Sequence, residues 1–198
     1  ARSFYRRGLA EVNAAEGSKN AAPVEAAEST AVNDNPVEHT AAEQRVIEDY
    51  KNAVDADLVA FYESAKNETV AKKGAAPYML KPANDTLAAD IQRETGVNVS
   101  GFDTRLDVRQ ANHIYKDHGE NGKSDHTMAD ANDVGRIQYV LDNYDDIRAW
   151  GNTDAYWETD RNGKNRRAKT VLISKKVNGT YYVVEAVPVT NAKSIYVV

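Results

Sequence analysis

The chain has 198 residues, no cysteine, 41% hydrophobic and 28% charged residues, and a formal net charge of −5. The missing cysteines exclude a disulfide framework, a thiolate nucleophile and a Cys-ligated zinc, and no apolar run approaches the roughly 18 residues of a membrane span. The acidic sum conceals a split, because residues 1–100 carry 11 Lys+Arg against 16 Asp+Glu, residues 101–150 carry 6 against 10, and residues 151–198 carry 8 against 4. A polyanion answers to the local field, so the basic last quarter keeps nucleic acid open as a partner, beside the plainer reading of a solvated basic hairpin. The chain opens on Ala1 without a signal-peptide pattern, which reads as a piece of a larger polypeptide, and the lack of cysteines fits a reducing compartment.

In chain order, residues 1–12 suggest a short helix. Residues 13–39 are rich in Ala, Glu, Asn and Ser and contain Pro23 and Pro36, so 1–39 is expected to be an arm or flexible linker. A helical lead-in is expected over 40–100. Thr40 and Glu43 have capping-box spacing, and Val46, Ile47, Tyr50, Val54, Leu58, Phe61 and Tyr62 make one apolar face of a helix, or of a broken pair, reaching about Lys66. Tyr78–Leu80 suggests a short strand after the loop at Lys72, Lys73 and Gly74. A second helix is expected from Leu87 to Thr95, with Asp85 as a cap and Gly96 past its end.

The next helix carries the densest chemistry. Two of the four histidines fall in His113-Ile114-Tyr115-Lys116-Asp117-His118-Gly119, behind Asp107 as the expected N-cap. Histidine titrates near neutral pH, so such a pair suits acid/base work. At 100° per residue from Val108, His113 falls at about 140° and His118 at about 280°, so on a regular helix the rings do not meet unless the end unwinds at Gly119. The five-residue spacing also lacks the shared face of zinc-peptidase histidines, and no metal or other cofactor is expected. Thr127 with Asp130 predicts one more helix, carrying Val134, Ile137, Val140 and Leu141.

Strands follow. Ile147–Trp150 and Ala155–Asp160 are candidates, then Lys169–Val177, the turn Asn178-Gly179, Thr180–Val189 and Ser194–Val198. Helices before an antiparallel meander make an α+β fold. A two-residue turn pairs Val177 with Thr180 and Leu172 with Glu185. Val171, Ile173, Val177, Tyr182, Val184 and Ala186 then face the core, joined by Ile195 and Val197. The opposite face collects Ser174, Lys176, Glu185, Ser194 and Tyr196. Together these groups can hold a phosphate and move protons, unless the face is an ordinary half-exposed sheet.

The His-x-x-x-x-His-Gly helix, the Asp133–Ile147 segment, the Lys175–Glu185 hairpin and Ser194-Ile195-Tyr196, in this order, resemble the phage-associated nuclease domains of the barnase–EndoU–colicin–RelE-like superfamily. The resemblance covers roughly Asp55 to Val198. It implies a nuclease-like α+β domain over 101–198, with N-terminal helices packed on a four-stranded antiparallel sheet. It also implies a metal-independent endoribonuclease, a hydrolase of a phage or mobile element that acts as a toxin, with tRNA as one candidate target, in the cytoplasm of a bacterial host or target cell. By position His113 and His118 match the family's motif histidines and Ser194 its late hydroxyl. The expected catalytic set is therefore His113, His118, Ser194 and Tyr196, with Glu185 as a rival base. Ser174, Lys175, Lys176, Arg166 and Arg167 are expected at the substrate, with RNA as the partner and an inhibitor or immunity protein as a second one. The alternative is a catalytically inactive binding or structural module on the same fold.

Overall fold

The computed structural model describes residues 5–7, 39–67, 75–159 and 163–198. The rest of the expected arm, the Lys72–Gly74 loop and Asp160, the end of one expected strand, lie outside the described residues. Tyr5–Arg7 forms strand β1 and not part of a helix over 1–12, because it pairs antiparallel with Val183, Tyr182 and Tyr181. The backbone groups of residues 181–183 supply partners that a lone short helix would lack.

The expected long helix is a broken pair, α1 (Ala41–Asn52) and α2 (Ala56–Ala65). Thr40 and Glu43 close the capping box on α1. Asp55 makes the break: its Oδ1 accepts from the N–H groups of Asp57 and Leu58, and its Oδ2 accepts from the Tyr78 hydroxyl at 2.6 Å. After β2 (Tyr78–Leu80), α3 (Asp85–Thr95) is capped by Asn84 and not by Asp85, through the Leu87 N–H at 2.9 Å. Strand β3 (Asp103–Leu106) then leads directly into α4 (Val108–His118).

Two short helices, α5 (Ala131–Gly135) and α6 (Ile137–Asp142), follow. Asp130 caps α5, while Thr127, the expected cap, donates to Asp125 instead. Gly135 lies where α5 meets α2. A Cβ there would sit 2.7 Å from Val59 Cγ2 and 3.2 Å from the Asp55 carbonyl oxygen. Gly135→Ala is expected to cost about 1–3 kcal/mol by overpacking, read as an earlier urea midpoint, and an unchanged midpoint would refute this contact.

The remaining strands are β4 (Asp146–Thr159), β5 (Asn165–Val177), β6 (Thr180–Val189) and β7 (Ser194–Val197). Two expected strands are thus one, β4, interrupted by irregular pairing between Ala149 and Gly151 and between Thr153 and Trp157. Asn178 and Gly179 turn with φ of 49° and 75°, and Val177 faces Thr180 as the turn chemistry requires.

The sheet corrects the expected four antiparallel strands. Its order is β2-β3-β7-β6-β5-β4, with β1 beside β6. β3 pairs parallel with β7, so the sheet is mixed. β3 and β2 extend the sheet because β7 is otherwise an open edge, and parallel neighbours joined through distant chain leave no local turn signal. One face holds the core: Val171, Ile173, Val177, Tyr182, Val184, Ala186, Ile195 and Val197 pack with residues of α1 to α6. The other face has its own buried clusters, Ala168, Val187, Val189, Tyr196 and Val198 with Tyr156, and Leu172 with Val183.

Candidate active site

The geometry of α4 begins with what its N-cap does not do. Asp107 makes no side-chain capping bond. Its carboxylate accepts from the Tyr156 hydroxyl at 3.3 Å and lies 3.7 Å from Arg105 Nε. Burial, foremost, and the Asp107 charge push the Tyr156 phenol well above its ordinary range, so it stays protonated and donates. Tyr156 packs against Tyr196 at 4.2 Å between ring centroids, and Arg105 lies over the other ring of that pair, its Cζ 4.3 Å from the Tyr196 centroid, and donates to the Tyr196 hydroxyl. An arm of the β4–β5 ribbon is thereby fastened to the start of α4. Glu158 holds the same arm further out, buried and accepting from the Thr190 N–H and hydroxyl and from Arg166.

Between arm and helix lies a cleft of about 400 Å³ lined by Asp107, Arg109, Gln110 and His113 on one side and Asp154, Ala155 and Tyr156 on the other. Arg109, His113 and Asp117 recur every four residues, which aligns them along one stripe of α4. His113 Nδ1 meets Asp117 Oδ2 at 2.8 Å. His113 Nε2 is shielded from solvent and has no hydrogen-bond partner.

His118 is the last residue of α4, is buried, and its Nδ1 meets Asp125 Oδ2 at 2.9 Å. The two imidazoles do meet: their centroids are 6.2 Å apart, nearly perpendicular at 81°. The helix does not unwind to allow this. The Asp117 contact draws the His113 ring toward the C-terminal end, where His118 is the terminal residue. The loop after His118 folds back on the helix end, with N–H groups of Lys123, Ser124, Asp125 and Met128 donating to the carbonyls of Lys116, Asp117, Asp117 and His118. These carbonyls have no partner inside the helix, so the loop satisfies the helix end and presents Asp125 in one step.

Burial works to raise the Asp125 carboxyl, but hydrogen bonds from the Thr127 hydroxyl and N–H and from His118 outweigh it and hold the group below its ordinary 3.8. The ionised form therefore stabilises the fold above that ordinary value, and the contribution is lost as pH falls through the lower native value. Asp125→Asn should flatten the acid limb of the stability curve below about pH 4, followed by circular dichroism. An acid limb identical to the parent's would remove Asp125 from the linkage.

The other expected residues are placed as follows. Tyr196 stands behind Tyr156 at the cleft wall. Arg167 Nε pairs with the cleft residue Asp154 at 2.5 Å. Arg166 is held by Glu158. Ser194 is buried and donates to the Ala192 carbonyl at 3.0 Å, and Glu185 is buried on the same face of the sheet opposite Leu172. Lys175 Nζ pairs with Asp145 at 2.6 Å, Lys176 is exposed with Nζ 5.7 Å from the Tyr181 centroid, and Ser174 lies opposite Asp146. Of the expected residues only His113 lines the cleft; Tyr196 packs against Tyr156 of its wall, Arg167 pairs with Asp154 of that wall, and His118 lies beside His113. Ser194, Glu185, Ser174, Lys175, Lys176 and Arg166 are not among its lining residues. Sequence reading passed over Arg105 and Arg109, although the four-residue stripe of Arg109, His113 and Asp117 marks a polar helix face. Among the described residues no three or more His, Asp or Glu side chains gather as a metal ion would require.

Residues 81–198, more than half of the chain, match the family described as phage-Barnase-EndoU-ColicinE5/D-RelE like nuclease3. No curated protein and no solved structure matches the chain.

Proposed function

The chain belongs to the phage-Barnase-EndoU-ColicinE5/D-RelE like nuclease3 family, and we propose that it is an endoribonuclease that cleaves RNA without a metal at the cleft between α4 and the β4–β5 arm. The observation that carries this reading is the His113 ring. One nitrogen is committed to Asp117, and the other, buried and unpartnered, belongs to a residue that lines the cleft. A buried polar atom with no partner is rare enough to call for a reason, and a proton-exchanging nitrogen awaiting substrate supplies one.

In this mechanism His113 accepts the proton of a ribose 2′-hydroxyl as its oxygen attacks phosphorus. The bond from phosphorus to the 5′-oxygen breaks, and the departing oxygen takes a proton from the second imidazole, His118. Arg109, which lines the cleft, balances charge on the phosphoryl oxygens. The Asp117 and Asp125 carboxylates orient the two rings, as second partners of catalytic histidines do.

The test is RNA incubated with the purified chain in EDTA, beside the same sequence with 2′-deoxyribose throughout. The expected result is cleavage of the ribose strand only, leaving 2′,3′-cyclic phosphate ends. Cleavage of both strands would replace the transesterification mechanism, and two intact strands would favour a non-catalytic binding module on this fold.

A further inference from the structure

We infer that Trp157 and Arg167 form a stacking subsite for an unpaired base of single-stranded RNA beside the His113 cleft, an inference that rests on the ribonuclease reading above. Trp157 is 54% exposed, the most exposed large apolar side chain among the described residues. It stands opposite Arg167 in the β4–β5 register, so both side chains leave the ribbon on one side. The Arg167 side chain is 56% exposed and meets Asp154 at 2.5 Å. Asp154, Ala155 and Tyr156, which line the cleft, are the three residues inserted between the paired positions Thr153 and Trp157. Such an irregularity bends and twists the strand. Here it carries the chain from the cleft wall to the Trp157–Arg167 pair.

A free indole next to a guanidinium, on the part of the chain where Lys and Arg outnumber Asp and Glu by 8 to 4, suits a base and its phosphate. Trp150, also exposed, differs in that the Arg148 guanidinium already lies 5.8 Å from its ring. Among the described residues no ring or cation covers the Trp157 face. A protein partner would also accept an exposed indole, but the basic setting and the adjoining cleft favour a polyanion. A stacked base must be out of a duplex, which makes the substrate single-stranded at this point.

The chain has two tryptophans, so Trp150→Phe leaves Trp157 as the sole indole reporter. This variant is titrated with a 2′-O-methyl oligoribonucleotide, which cannot be cleaved through its 2′-oxygen, and with the same oligonucleotide annealed to its complement. The expected result is quenching by the single strand and little by the duplex. Binding of the same single strand, measured by anisotropy of a labelled copy, should weaken roughly 5- to 150-fold in Trp157→Ala, the loss of one base stack. In Arg167→Gln the salt dependence should fall by about one phosphate contact. Equal binding by Trp157→Ala and the parent, or equal quenching by the duplex, overturns the subsite and assigns the patch to a protein contact. The two readings fail separately. Loss of binding in Trp157→Ala with no cleavage of RNA by the parent upholds the subsite and ends the nuclease assignment. Cleavage without Trp157-dependent binding does the reverse.

Discussion

His113→Ala is expected to lower RNA cleavage in EDTA by about 10²- to 10⁴-fold, the range for losing a positioned acid/base group. The fold should survive the change. His113 is only partly buried, and the helix is anchored by other groups, notably Asn112 Nδ2 on the Ala65 carbonyl at 2.7 Å and the buried Val108, Ala111 and Ile114. His118→Ala is a different experiment. His118 is almost enclosed and tied to Asp125, so its loss should lower stability as well as rate. Initial rates on a fluorogenic oligoribonucleotide, with circular dichroism on the same samples, separate the two effects. Full activity in His113→Ala would remove the proposed base.

The larger structural effect is expected at Gly122. A Cβ there would stand 2.3 Å from the Asp125 carbonyl oxygen and 2.7 Å from that of Asp117. Both obstacles are backbone, so neither can rotate away. To make room, the loop must lift from the end of α4, which breaks the bonds from Lys123, Ser124 and Asp125 to the last helical carbonyls and withdraws Asp125 from His118. Overpacking at about 1–3 kcal/mol and three lost hydrogen bonds at about 1 kcal/mol each put Gly122→Ala at roughly 4–6 kcal/mol of destabilisation. The neighbouring Asn121 is exposed, and Asn121→Ala should be nearly silent. Urea denaturation of the pair reads the contrast, and equal midpoints would mean that the loop is not packed as described.

The β5–β6 hairpin was readable in the sequence because its information is local: Asn178 and Gly179 tolerate positive φ, and their register fixes which residues face the helices. The apolar side of that hairpin lies in the core as expected. The histidine helix was readable too, since it begins directly after Asp107 and ends at His118, before Gly119. Less visible was everything set by distant partners. Asp-Thr-Arg-Leu gives little strand signal, yet β3 forms because β7 offers it a parallel edge. Asp107 looks like a cap but gives its carboxylate to Tyr156 and Arg105. The wheel separates His113 from His118, but carboxylates at Asp117 and Asp125 set where the rings turn. Spacing along a helix fixes Cβ directions, not the reach of a ring drawn by an acid from another turn or loop.

The contact between Arg105 and Tyr196 joins residues 91 positions apart. During synthesis on the ribosome, the histidine helix emerges well before the strand that flanks β3 and supplies Tyr196. A nascent chain halted short of Ser194 carries both imidazoles but has no finished wall opposite them. Assembly of the cleft is therefore a late, long-range event in vectorial folding, and loop closure over that span makes it slow compared with formation of α4 alone.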